Sequence, residues 1–266
     1  MPFLACCYYY NCYYYAVTIM LLLSIDTSGG YSSIYIIDDK YEIIAENNIV
    51  LNENKYFKES YSKALMPSTL VFKQLDDILS DSGLNLADIE GVAITLGPGS
   101  FTGIRVSLSI AKTLAYSLNL KIAGVESLYA CAYSFINKSN NFYLTVIKEF
   151  IKDKFYFEIY KIENGTLEKF KRLETGTIKE INCLIDNLNI KSYFVYLGSL
   201  KKYNLDKNIQ PTNNNKLEYE FFDSLRLAYF SGIIAINKFN NNKKNQSDFK
   251  YLAELSPVYV YSGGAF

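Results

Sequence analysis

The stretch GPGSFTGIR, residues 97–105, joins a short apolar run to a helical one and decides how the sequence around it is interpreted. Its glycines permit close backbone approach, Pro98 stiffens the turn, and Ser100 can cap the following helix. The free amides of that helix face the loop and could hold an anion. No Gly-Lys-Ser/Thr follows and Arg105 already lies on the helix, so this is not a Walker loop. A tight strand-to-helix turn with structural glycines is the alternative.

The helix after this loop carries a stripe of small side chains at four-residue spacing: Gly103, Ser107, Ala111 and Ala115. A facing helix can approach closely along such a stripe. Ile104 and Leu108 run beside it and are apolar enough to be buried. The stripe is therefore packed inside the same chain or forms a contact with another subunit, and the pattern alone leaves both possibilities open.

The segments around the loop predict alternating strands and helices. Apolar runs bounded by turn residues predict strands over 21–25, 31–37, 41–50 and 91–96. Apolar residues at helical spacing predict helices over 62–81 and from 101 to about 119. Farther along, the patterns predict strands over 122–125, 141–147, 155–162 and 193–197, helices over 126–135 and 222–238, and an extended end at LSPVYVY.

Composition excludes several classes of chemistry. The chain has no histidine, which removes HExxH zinc sites and Ser-His-Asp triads. Its five cysteines show no paired CxxC spacing, so neither a zinc site nor a disulfide framework is predicted. Lys plus Arg equals Asp plus Glu at 27 each, so no global charge attracts nucleic acid or an anionic membrane.

Taken together, MLLLSIDTSGGYSSIYIID, GVAITLGPGSFTGIRVSLSIAKTLA and the closing SPVYV resemble the bacterial TsaB family. These proteins are partner subunits in threonylcarbamoyl transfer to tRNA and are related to actin, hexokinase and Hsp70. The resemblance is carried by residues 20–135 and implies a two-lobed α/β fold of mixed sheets flanked by helices (ASKHA). It places the first lobe at 20–125 plus about 222–261, and a smaller lobe at about 126–221.

The resemblance also implies that the chain has no catalytic role, no metal and no cofactor. The catalytic relative TsaD holds a metal with a His-xxx-His pair on one helix, where this chain offers Ser127 and Cys131. Serine and cysteine cannot replace two imidazoles on a catalytic metal. The second nucleotide loop of the superfamily is reduced here to YLGS at 196–199, so a degenerate ATP site is expected.

The partner implied by the resemblance is TsaD, bound through helices 62–81 and 101–118. The expected contact residues are Leu70, Gly103, Ile104, Ser107, Leu108, Ala111 and Ala115, and an Ala111→Arg change is expected to abolish the contact while leaving the fold intact. The structural motif comprises Asp26, Gly97, Pro98, Gly99, Ser100 and Arg105. The resemblance also implies a homodimer in isolation, and contact with a TsaE-like ATPase and with tRNA through the complex. It implies a cytoplasmic location without membrane contact.

Two further expectations concern Asp26 and the N-terminus. The alternative function is a small-molecule kinase or ATPase of the same superfold that uses Asp26 to orient a metal. Residues 3–23 carry no charge, which permits a membrane segment, but six tyrosines and three cysteines in CCYYYNCYYY, residues 6–15, are atypical of one. Because family members start just before the first strand, Met20 is the expected initiator and residues 1–19 an extension outside the native protein. A genuine extension or an anchor is the alternative.

Overall fold

The computed structural model describes residues 20–50, 67–138, 141–188, 190, 192–197, 219–241 and 249–259. Within these residues the chain forms two five-stranded mixed sheets. The first sheet, in the order β3-β2-β1-β4-β5, contains β1 (Leu21–Asp26), β2 (Tyr31–Ile37), β3 (Ile43–Val50), β4 (Ile89–Thr95) and β5 (Lys121–Val125). The second sheet, in the order β10-β9-β6-β7-β8, contains β6 (Phe142–Glu149), β7 (Lys154–Glu163), β8 (Thr166–Thr177), β9 (Ser192–Leu197) and β10 (Tyr219–Phe222).

The described helices are α1 (Pro67–Ser82), α2 (Phe101–Leu118), α3 (Ser127–Tyr133), α4 (Ile178–Leu188), α5 (Leu227–Asn241) and α6 (Phe249–Glu254). α2 begins at a serine cap, because the Ser100 hydroxyl accepts a hydrogen bond from Gly103 N at 3.2 Å. It ends at Asn119, which adopts the left-handed conformation with φ 53°. The sequence thus sets both ends of this helix.

Alternation along β1 determines what covers each face of the first sheet. Leu23 and Ile25 point into one core with α1 and α2, which lie side by side. Leu22 points to the opposite face and packs with residues of α5. Ser24 shares that face, where its hydroxyl donates to Ala228 O at 2.5 Å. The first sheet is therefore a middle layer with helices on both faces.

The second sheet is also covered on both faces. α4 contributes Ile178, Ile181 and Ile185 to the core on one face. α3 packs on the other face, together with Leu227 and Ile234 of α5. α5 therefore contacts both cores, and α3 and α5 connect the two sheets.

The predicted elements are found with shifted ends, and four elements were missed. The first three predicted strands and the helix beginning at 101 are confirmed; helix 62–81 is described from Pro67, and residues 62–66 lie outside the described residues. The helix predicted over 222–238 begins at Leu227, because 219–222 form β10 and Asp223 caps a short 3-10 turn. β8, α4 and α6 were also not predicted.

The lobe boundaries stay a prediction, although each strand set lies on the expected side of residue 126. The expected extension, residues 1–19, also lies outside the described residues. Among the helices the structure describes, none is long and apolar enough to cross a bilayer.

Candidate functional site

Asp26, the last residue of β1, is fully buried where the two sheets approach each other. Its carboxylate accepts hydrogen bonds from Ser28 N at 2.9 Å, from the Tyr31 hydroxyl at 2.8 Å, and from the Thr95 hydroxyl. A buried carboxylate with three donors is satisfied within the chain. The arrangement fixes the β1–β2 turn and leaves Asp26 little capacity to bind a metal.

The glycine loop predicted from GPGSFTGIR lies directly against this turn. Ser100 N donates to Ser28 O at 2.9 Å, and Ser127 N donates to Gly97 O at 2.7 Å. Gly97 has φ +96°, and the bond to Pro98 is cis. A Cβ on Gly99 would lie 2.0 Å from Ser28 O. The loop is therefore closed onto the turn, with no room between them for even a methyl group.

The start of α2 lies as close to the β1–β2 turn as the glycine loop does. A Cβ on Gly103 would lie 2.1 Å from Thr27 O. The Thr27 hydroxyl bonds to Gly103 O at 2.7 Å and to Ser107 Oγ at 2.8 Å. The small residues Gly103 and Ser107 of the stripe therefore allow α2 to pack closely against the β1–β2 turn of the same chain.

The seven predicted contact residues come together, but in the interior of the chain, and this corrects their expected role. All seven are buried: Leu70, Gly103, Ile104, Ser107, Leu108, Ala111 and Ala115. They pack α1 and α2 onto the first sheet. The stripe therefore packs within the same chain, against the first sheet, rather than on a surface open to another subunit.

The opposite side of the same helices carries exposed aromatic residues that the sequence reasoning missed. Phe72 of α1 and Phe101 of α2 are each 49% exposed, and Tyr116 is 69% exposed. Arg105 stacks on Phe101, with its guanidinium carbon 3.7 Å from the ring centroid. Its Nε donates to the Tyr259 hydroxyl at 3.1 Å. We call this set, Phe72, Phe101, Arg105 and Tyr116, the outer helix face.

Lys148 of β6 is a further residue that the sequence reasoning missed. Its ammonium crosses from the second sheet to donate to Ser28 O at 3.1 Å and to Ser28 Oγ at 2.9 Å. Burial lowers its pKa to about 8, although the nearby Asp26 charge favours the protonated form. The one clue in the sequence was a lysine inside the apolar run FYLTVIKE.

Ser127 and Cys131, the pair in place of the two metal-binding histidines, are both buried on α3. The Ser127 hydroxyl donates to Ser28 Oγ at 3.2 Å. Burial raises the pKa of the Cys131 thiol well above its usual value, so this thiol is neutral. Within the part of the chain that the structure describes, no group of three Cys, Asp or Glu side chains could hold a metal.

A family model described as TsaD, tRNA N6-adenosine threonylcarbamoyltransferase, matches residues 68–148. A tRNA threonylcarbamoyladenosine biosynthesis protein TsaB from Bacillus subtilis is 28% identical over 147 residues, which are 55% of this chain and 58% of that protein. The protein of the same name from Escherichia coli is 34% identical over 96 residues, 36% of this chain and 42% of that protein. The matches thus span about half the length of these relatives.

Solved structures show that the likeness extends to the whole fold. YeaZ from Pseudomonas aeruginosa superposes with a TM-score of 0.62 at 16% identity, covering 91% of this chain and 100% of that one. A candidate N-acetylmannosamine kinase from Listeria monocytogenes gives a TM-score of 0.52 at 10% identity, covering 84% of this chain and 100% of that one. The predicted two-lobed α/β fold is confirmed.

Proposed function

Because this chain belongs to the TsaB family, we propose that it is a non-catalytic partner subunit. It would support TsaD in transferring threonylcarbamoyl to N6 of the tRNA adenosine next to the anticodon. The observation that carries the proposal is the closure of the glycine loop onto Ser28, with the Lys148 ammonium beside it. The chain's own groups fill the place where a kinase-like fold would need space for phosphates.

The outer helix face supports a contact between TsaD and the two helices, α1 and α2. Aromatic residues and arginine are the residue types that contribute most to protein–protein affinity. Arg105 is already held by stacking on Phe101, so it loses little side-chain freedom on binding. In this proposal the buried stripe only sets the position of α2, and the outer helix face makes the contact.

Charge on the same side supports the homodimer that we also propose for the isolated chain. α1 exposes Asp76 and Asp81, whereas α2 exposes Arg105 and carries the half-buried Lys112. In a two-fold symmetric contact, the acidic side of one α1 can face the basic side of the partner's α2. A homodimer and a TsaD complex would then use the same surface and exclude each other.

The alternative, a kinase or ATPase that uses Asp26, has weaker support. The carboxylate already accepts from Ser28 N, the Tyr31 hydroxyl and the Thr95 hydroxyl. A metal would have to displace these buried donors, each of which would lose its partner. ATP hydrolysis by the isolated chain that disappears in Asp26→Asn would favour this alternative.

A Phe72→Asp change tests the proposed contact. It places a charge on the outer helix face without entering the core, so binding to the cognate TsaD should weaken by about tenfold or more. Co-purification and calorimetric titration measure the loss, and tRNA modification assayed with TsaD should fall in parallel.

Phe170→Asp is the matched control, since Phe170 is 45% exposed but lies on β8 in the other sheet. This variant should bind TsaD like the unaltered chain. Equal binding by both variants would contradict the proposed surface. Contact with a TsaE-like ATPase, access to tRNA through the complex and the cytoplasmic location stay predictions.

A further inference from the structure

Lys148 is a cationic group that is only 6% exposed and has neutral hydrogen-bond partners. Both acceptors belong to Ser28, and neither is a carboxylate. Among the residues that the structure describes, the ion pairs involve other lysines, with none at Lys148. A buried ammonium without an anionic partner has lost hydration that its hydrogen bonds do not fully replace.

Of the titratable groups that the structure describes around the Lys148 amine, Asp26 is the one that carries a charge. Asp26 approaches from β1 and favours the ammonium, but its oxygens are held by other donors. Tyr31 from β2, Tyr156 from β7 and the Cys131 thiol from α3 all have raised pKa values and are neutral. The glycine loop contributes no titratable side chain.

The position of the amine makes it part of the contact between the two sheets. Lys148 belongs to β6 of the second sheet, and Ser28 follows β1 of the first. A Cβ on Gly99 would lie 2.9 Å from the Lys148 amine, so the amine also lies against the glycine loop. Separation of Ser28 from β6 would return the amine to water.

We propose that closure of the two sheets over Ser28 is coupled to loss of a proton from Lys148, so that opening takes up a proton. This inference is independent of the partner role, because it concerns the isolated chain. Separation of the two sheets at Ser28 would therefore respond to pH through the Lys148 side chain.

The sign of the effect follows from the two protonation equilibria of the amine. In the closed form its pKa is lowered to about 8, and in the open form it returns towards 10.5. Below the lower value both forms are protonated, so closure does not change with pH. Above it the open form binds more protons, so closure strengthens as pH rises, by up to about tenfold per pH unit until the higher value is reached.

Amide hydrogen exchange of the full chain at pH 7 and pH 9 tests the proposal. Ser127 N reports the contact between the two sheets, because it donates to Gly97 O of the glycine loop while its helix, α3, packs on the second sheet. Protection is measured relative to an unstructured peptide at the same pH. It should rise by about tenfold between the two conditions in the unaltered chain.

The decisive variant is Lys148→Met, which keeps most of the side-chain volume and removes the charge. Its protection at Ser127 should be the same at both pH values. A Lys179→Met control, at an exposed position of α4, should keep the tenfold rise. If Lys148→Met does not fold, Lys148→Gln retains a neutral donor and should show the same loss of pH dependence.

Two results would overturn the proposal. One is an equal rise of protection in the unaltered chain and in the folded neutral variant, which would assign the proton to another group. The other is no rise in the unaltered chain. A 13C titration of the Lys148 Cε resonance provides a direct check, and a midpoint near 10.5 would also refute the coupling.

Discussion

Ser28 receives hydrogen bonds from three other elements of the fold. Its carbonyl accepts from Ser100 N and from Lys148 Nζ, and its hydroxyl accepts from Lys148 Nζ and from the Ser127 hydroxyl. Its own amide donates to Asp26. One small residue thus joins β1, the glycine loop, α3 and β6, which gives the polar residues at the end of β1 and in the following turn a structural role.

An arginine at Ala111 gives a test at the scale of one residue. Ala111 is fully buried between α2 and the first sheet, so a long charged side chain would displace core residues and bury an unpaired charge. Ala111→Arg should lower the free energy of unfolding by about 3 kcal/mol or more, as measured by urea denaturation. This replaces the expectation that the fold would stay intact.

Ser109→Arg on the same helix is the control, because Ser109 is exposed. The free energy of unfolding of this variant should stay within about 0.5 kcal/mol of the unaltered chain. Similar losses in both variants would show that helix composition, rather than burial at Ala111, sets the cost.

The local structure of the glycine loop could be predicted from the sequence, whereas the residues that pack against it could not. GPGSFTGIR indicated a tight turn and a serine cap, and both are present. The stripe at Gly103 indicated close packing, but spacing along a helix does not show which surface packs against it. Lys148 acts across 120 positions of sequence, a separation that local patterns do not report.

At the scale of the element, the close approach of α2 to the β1–β2 turn depends on Gly103. A methyl group there would lie 2.1 Å from a backbone oxygen, which cannot move aside like a flexible side chain. Gly103→Ala should therefore tilt or shift the start of α2 and lower the free energy of unfolding by about 2 kcal/mol or more. Thermal or urea denaturation measures this loss.

Gly176→Ala is the matched control in β8. The Cβ there would meet its nearest neighbour, a Glu180 carboxylate oxygen, at 3.4 Å, which is an ordinary contact. This variant should change the free energy of unfolding by less than about 1 kcal/mol. A larger effect at Gly176 than at Gly103 would contradict the role given to the close approach.

The failure to predict β8 has a physical cause. β8 is an edge strand with charged residues such as Lys169, Lys171 and Glu174, and its register shifts twice against β7. Edge strands bury little, so they lack the apolar alternation that predicts a strand, and the shifts break what alternation remains. β1, β2 and β4 are buried along almost their whole length, because both of their faces are covered, and each is mostly apolar.

At the scale of the whole molecule, the closed arrangement around Ser28 predicts that the isolated chain does not bind Mg-ATP. A phosphate group is larger than the methyl group that the Gly99 site already excludes. Calorimetric titration with Mg-ATP should show no saturable binding with a dissociation constant below about 1 mM. Tight binding that is lost in Asp26→Asn would instead support the kinase alternative.

The position of α5 in the sequence has a consequence for synthesis on the ribosome. α5 covers one face of the first sheet, yet it lies at Leu227–Asn241, after every strand of both sheets. The strands of the second sheet all lie within residues 142–222, so they have been synthesised before that helix. Because Leu227 and Ile234 of α5 also belong to a core of the second sheet, we expect neither sheet to complete its folding until this helix has left the ribosome.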